Sequence, residues 1–426
     1  MNGAVKKNLI LFVSGKMIAV LGSSLYGFAI GLYILAETGS SLNFAITLML
    51  SVLPRILLAP VAGALSDRLD RKKIIVISDF ACAIWLTIIL LLFHFVFPEI
   101  WLLYTATAVL STLNTFYSTA VTSSIYNMIG SDHLQKAMSL NQAAASMATI
   151  LGPVLGGVLF SFMKLPFFMM INIVAFTISG IASILINYHL FSEKKEGNEP
   201  SNFFKDIKTG FVYVKNQPFI FNLILVCIWI NFWFAIFPVA MPYLVLTVKG
   251  MEPFQLGIIE GSLSVGMLIM AIYLSSRPEI KKKENAIFGG MISLSLVLIL
   301  LGLPSMPGLT EISNNVVFIY LILMVLLLSS FVMLINMPVM VLLQKSTPDA
   351  FRGRVMSIME MGASAMTPLG YIIFGALLES VPVWILLAIC GLSIFLMLCY
   401  HLWKRTLINH LRDLDEKTNP VLSAEA

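Results

Sequence analysis

Twelve separate stretches of this chain are apolar over about the 20 residues that a helix needs to cross a bilayer, which leaves few folds open. They cover approximately residues 8–35, 43–64, 73–96, 100–123, 138–162, 166–190, 218–247, 254–275, 285–303, 316–343, 355–378 and 382–403. Each is too long, and too little alternating, for a barrel strand. The links between them hold most of the charge, and charge is scarce: 12% of residues, with a mean hydropathy of +0.92. Soluble domains carry about 25% charged residues, so a water-facing surface cannot be assembled from this composition. The expected class is therefore an all-α integral membrane protein whose immediate partner is the lipid bilayer. Two lysines precede the first apolar run, but no small-residue cleavage site follows it, so the run is expected to be a retained span. Pro238 and Pro242 are expected to bend the seventh span.

The distribution of Lys and Arg sets an expected orientation. Numbering the links alternately places 23 of the 27 on one side, and Lys164 and Lys249 on the other. Lys16 and Arg55 fall inside spans. Positive charge is retained on the cytoplasmic face, so both termini are expected to be cytoplasmic in a multi-pass plasma-membrane protein. The net charge of +5 reflects this asymmetry and gives no reason to expect a nucleic-acid partner.

The chain also reads as two halves. Residues 1–190 form one expected six-helix bundle and residues 218–403 a second. Residues 191–217 form a polar linker, and residues 404–426 a tail. Within the linker, Phe203, Phe204, Ile207, Phe211 and Val214 recur at helical spacing among charges, which suits an interfacial helix. The fifth and eleventh spans echo each other: Asp132 matches Asp349, Met138-Ser139 matches Met356-Ser357, Ser146 matches Ser364, and Gly157 matches Gly375. Both copies start on the same side, as in parallel repeats around a central transport site.

One link stands out. Gly63-Ala64-Leu65-Ser66-Asp67-Arg68-Leu69-Asp70-Arg71-Lys72 joins spans two and three, and concentrates charge between two apolar runs. This stretch resembles the signature at the same position in the major facilitator superfamily, with Asp70 where that pattern usually has glycine. The resemblance implies two parallel six-helix bundles and transport by alternating access. It also implies that Asp67 faces the start of span eleven, whose helix N-terminus favours an anion. Gly63, Asp67, Arg68, Arg71 and Lys72 would then form a cytoplasmic gate, with Gly63 permitting close helix approach.

A second motif, Gly152-Pro153 followed by Gly156-Gly157 in span five, resembles the glycine-proline motif of exporting antiporters, with Ala148 in place of an upstream glycine. An ordinary packing motif accounts for the same residues. The stretches Met17–Ser41 and Leu53–Lys73 together resemble the macrolide-efflux and siderophore-exporter branch. The arginine that drug antiporters carry in span four is absent. Proton coupling is therefore assigned to other ionisable residues inside spans: Lys16, Arg55 and Asp79, expected to be mutual partners, with Glu260 and Glu360. Trp229, Phe232 and Trp233 fit a stacking surface for apolar substrates; an interfacial aromatic belt accounts for them equally.

No ATP-binding loop, hydrolase motif or paired metal ligands occur, so an enzyme is not expected, nor a cofactor. Cys82, Cys227, Cys390 and Cys399 all fall in spans, where a small apolar role is expected. The reading is a monomeric, proton-coupled exporter of hydrophobic or amphipathic small molecules such as drugs, macrolides or siderophores. The alternatives are an uptake permease for a nutrient and a non-transporting receptor.

Overall fold

The computed structural model describes residues 3–96, 98–191, 209, 211–277 and 283–404. All regular structure among them is helical. The six helices of the first half are α1 (Gly3–Thr38), α2 (Ser41–Arg68), α3 (Arg71–Phe95), α4 (Ile100–Ile129), α5 (Leu134–Phe160) and α6 (Leu165–Leu185). The second half has α7 (Pro218–Phe234), α8 (Ile236–Pro242), α9 (Pro253–Ser275), α10 (Lys283–Leu300), α11 (Asn314–Ser346), α12 (Asp349–Ala365), α13 (Thr367–Leu378) and α14 (Val383–Lys404).

Eleven spans among the described residues are long and apolar enough to cross a membrane. The remaining expected span is α4, which forms at full length but carries many hydroxyls. Those hydroxyls do not seek water. Thr107 donates to Leu103 O, Thr112 to Ala108 O, Thr115 to Ser111 O and Thr119 to Thr115 O, all one turn back.

Two spans are each built from two helices, and proline lies at both breaks. In the seventh, α7 stops at Ala235, and Pro238 sits in the first turn of α8, where a missing N–H costs little. Pro242 closes α8, and the chain continues as a π-helical turn over Tyr243–Val248. The expected bend is thus a change of helical register. In the eleventh, Met366 separates α12 from α13, with Pro368 in the opening turn of α13.

The chain divides into two compact units. One comprises Met1–Pro200 with Glu252–Gly261; the other comprises Ser201–Met251 and Ser262–Ala426. In the first, α1 packs on α5 and α6, α3 on α4 and α6, and α2 on α4. Small residues set the α1–α6 spacing: a Cβ on Gly15 would lie 3.0 Å from Ala182 Cβ, and one on Gly22 would lie 2.6 Å from Ala175 Cβ. Tyr26, Ile30, Leu86, Leu103, Phe168 and Phe176 fill one part of this interior; Phe12, Ile75, Tyr117, Val121 and Met128 fill another. In the second unit α10 packs on α11 and α14, while α12 and α14 cover α7.

The first unit takes in Glu252–Gly261, far along the chain from the rest of it. The cause is local. A Cβ on Gly157 would lie 2.6 Å from Pro253 O and 3.1 Å from Gly257 Cα, so the opening turns of α9 meet α5 backbone to backbone. Of the expected linker helix, residues 211–215 are helical; Phe203, Phe204 and Ile207 lie outside the described residues, as do residues 405–426 of the tail.

Two glycine substitutions separate packing from mere helix content. Gly157→Ala forces a methyl against immovable backbone and is expected to cost about 1–3 kcal/mol. Gly63→Ala meets no described atom within 4 Å, and is expected to leave stability unchanged or raise it by up to about 1 kcal/mol. Thermal unfolding of both variants in detergent checks the contrast.

Candidate functional site

The Gly63–Lys72 link is built around the start of α3. Asp70 is the N-cap: its side chain accepts from Lys72 N at 2.9 Å, and its φ of −65° is one that any residue adopts. An aspartate therefore replaces the usual glycine without strain and adds a cap. Arg71 reaches back and across, donating from Nε to Ser66 O at 3.1 Å and from Nη1 to Ser123 O at 2.7 Å. Lys72 donates from Nζ to Ile184 O at 2.7 Å and Ile186 O at 3.1 Å, carbonyls at the end of α6. These two cations thus tie α2, α3, α4 and α6 together within one unit, offsetting the negative ends of their helices. Arg68 is exposed at the end of α2. Asp67 is helical, but its side chain lies outside the described residues. A Cβ on Gly63 faces open space, so the close approach expected there is not made among the described residues.

Lys16, Arg55 and Asp79 do not come together, which corrects the expected mutual pairing. Lys16 on α1 donates to Asn141 Oδ1 on α5. Arg55 is exposed on α2. Asp79 on α3 is only 1% exposed, and accepts from Ser179 Oγ on α6 at 2.8 Å. Ser183, Tyr117 and Tyr188 bring their hydroxyls close to the same site. All four hydroxyl-bearing residues are buried. The result is a closed polar cluster in which hydroxyls, and no cation among the described residues, surround the acid. Equal depth along separate helices sets height in the membrane; it leaves open which way each side chain points.

Span five carries its glycines on two faces. A Cβ on Gly152 would collide with Ser24, and one on Gly156 would lie 2.7 Å from the Phe28 ring, both on α1. Gly157 turns instead to the start of α9, where Gly257 packs against Pro153 O. The proline stays inside a continuous α5. Its ring removes one backbone donor. Glu260, one turn beyond Gly257 along α9, is half-buried and makes no hydrogen bond or ion pair among the described residues.

In the second unit Trp229, Phe232 and Trp233 form one face of α7. Trp229 Nε1 donates to Ser393 O on α14 at 3.4 Å. Phe232 and Trp233 lie 5.5 and 5.9 Å, centroid to centroid, from the ring of the buried Phe374 on α13. The aromatic run is thus occupied with neighbouring helices, with Trp229 still 44% exposed. Glu360 is exposed on α12. Cys82 and Cys390 are buried, and Cys227 and Cys399 half-buried, all as free thiols.

Sequence reasoning passed over Asn141, Ser179, Ser183, Tyr117 and Asn172. Asn172, Ser179 and Ser183 recur at seven and four residues along α6, hence on one face. Asn172 is completely buried, and its Nδ2 has no partner among the described residues. A polar stripe at helical spacing inside an apolar span was the available signal.

The profile of the Major Facilitator Superfamily matches residues 12–359. The uncharacterized MFS-type transporter YfiS of Bacillus subtilis is 25% identical over 97% of this chain and 97% of its own length. Macrolide efflux protein A of Streptococcus pyogenes is 22% identical over 95% of this chain and 96% of its own. The crystal structure of nucleoside transporter NupG superposes with a TM-score of 0.67 at 13% identity, covering 95% of this chain and all of that one (100%).

The cluster around Asp79 yields a stability test. Asp79→Asn keeps an acceptor for Ser179 and is expected to unfold within about 1 kcal/mol of the parent. Asp79→Leu strands the buried Ser179 hydroxyl and is expected to cost about 1–3 kcal/mol. Thermal unfolding in detergent reads both.

Proposed function

This chain belongs to the Major Facilitator Superfamily, and from that premise we propose that it is a proton-coupled exporter of hydrophobic or amphipathic small molecules. It works by alternating access in the plasma membrane, as a monomer with both termini in the cytoplasm. What supports export over uptake is the glycine-proline motif of α5, which resembles that of exporting antiporters and packs on two faces. Gly152 and Gly156 seat α1, while Pro153 and Gly157 seat the start of α9. The full-length similarity to macrolide efflux protein A supports the same direction and suggests the substrate class.

Coupling is assigned to Glu260. A carboxyl inside a span is costly to keep charged, and this one has no described partner to fix its state. It suits an acid that takes up a proton from one side and releases it to the other. Met138 and Met147, both exposed on α5, supply the adaptable apolar surface that varied amphipathic substrates require.

The test is accumulation of macrolides and lipophilic dyes in a pump-deficient bacterial host. Expression is expected to lower accumulation of at least one compound several-fold, and a proton uncoupler to restore it. Glu260→Gln is expected to remove this uncoupler-sensitive efflux at unchanged protein level. Accumulation that rises on expression overturns export, and uncoupler-sensitive efflux surviving in Glu260→Gln overturns the assignment.

The gate reading gives a separate expectation. Asp67→Asn should insert and express normally yet lose most efflux, measured in the same host against membrane protein level.

A further inference from the structure

At the start of α1 the chain alternates between inward and outward residues. Val5, Asn8, Leu9 and Phe12 are buried, whereas Lys6, Lys7 and Ile10 face outward. Beside them lies the end of α6, where Leu185 is 54% exposed. Gly3, Lys6, Lys7, Ile10, Leu11 and Leu185 line a shallow, open groove of about 390 Å³. Its walls are apolar, and among the described lining residues the charged groups are the two ammonium groups. Neither lysine has a hydrogen bond or carboxylate partner among the described residues.

The end of a helix normally presents negative carbonyls and repels anions. Here Lys72 Nζ already satisfies Ile184 O and Ile186 O, so Lys6 and Lys7 are not needed for that purpose. Their charge is left for something outside the fold. Leading away from the groove toward the membrane interior, Val174, Ile178, Ile181 and Leu185 form an exposed row along one face of α6. The groove therefore joins two adjacent positive charges to an apolar track at the edge of the hydrocarbon.

We propose that this groove between the first turns of α1 and the end of α6 binds an anionic phospholipid. Lys6 and Lys7 hold its phosphate, and one acyl chain lies over Ile10, Leu185 and the α6 row. Charge complementarity selects an anionic headgroup over a zwitterionic one, and basic pockets at helix ends near the membrane surface have this preference in general. The site is independent of the transported substrate and of the direction of transport.

The experiment uses the full chain in phosphatidylcholine nanodiscs with a graded fraction of phosphatidylglycerol. Native mass spectrometry after release counts the retained lipids. The parent protein is expected to retain phosphatidylglycerol in preference to phosphatidylcholine. The Lys6→Gln/Lys7→Gln pair is expected to weaken that retention roughly thirtyfold, and Lys6→Arg/Lys7→Arg to preserve it. Lys136→Gln removes an exposed charge elsewhere and is expected to have little effect. Equal retention of both lipids by the parent overturns the proposal. So does retention in the paired glutamine variant as strong as in Lys136→Gln. Matching thermal unfolding of all variants establishes that each is folded.

Discussion

Hydrocarbon offers no hydrogen bonds, so every polar group that this chain carries into the membrane must be satisfied by the chain itself. Helical ladders do most of this. The hydroxyls of α4 bond to their own carbonyls one turn back. Helix ends are harder, because their last carbonyls have no partner in the ladder. Arg71 and Lys72 meet that need at the junction of α2, α3, α4 and α6, while Asp70 takes a free N–H at the start of α3, and Asn8 serves carbonyls elsewhere. Its amide donates to Met128 O at 3.0 Å and Asn187 O at 2.9 Å, and accepts from Asn187 N at 3.1 Å. The charge in the Gly63–Lys72 link is accordingly part of the fold of one unit, whatever else it does.

The same constraint explains where small residues stand. Apolar burial does little to draw helices together within lipid, so they associate through close packing and interhelical hydrogen bonds. The Gly15–Ala182 and Gly22–Ala175 contacts bring α1 onto α6, and the Gly152 and Gly156 contacts bring it onto α5. With α1 held in this way, Lys16 reaches Asn141 on α5. Asp79, between α3 and α6, is enclosed by hydroxyls. Glu260 is left without such a shell, and that contrast separates an acid built into the fold from one that suits coupling.

The helices were legible because length and apolarity alone identify a span, and family membership followed from the link between spans two and three. Side-chain partnerships were not. Lys16, Arg55 and Asp79 share a depth, but depth does not give the direction in which a residue leaves its helix. Asp70 was read as a missing glycine, although its capping role needs only an acid before a helix start. The aromatic spacing of Trp229, Phe232 and Trp233 shows that they share a face of α7. It does not show that Phe374 and Ser393 would meet that face. Nor does a count of residues per half reveal that Gly257 packs on Pro153 and draws the start of α9 into the first unit.

Coupled movement of a substrate across the membrane is the claim on which this account turns. Its most direct test is flux in proteoliposomes containing only this protein, with a radiolabelled macrolide or lipophilic dye and an imposed pH gradient. The account predicts that the gradient drives the compound against its own concentration difference, and that an ionophore dissipating the gradient stops it. Flux that ignores the pH gradient, or no flux of any compound that expressing cells exclude, would contradict it.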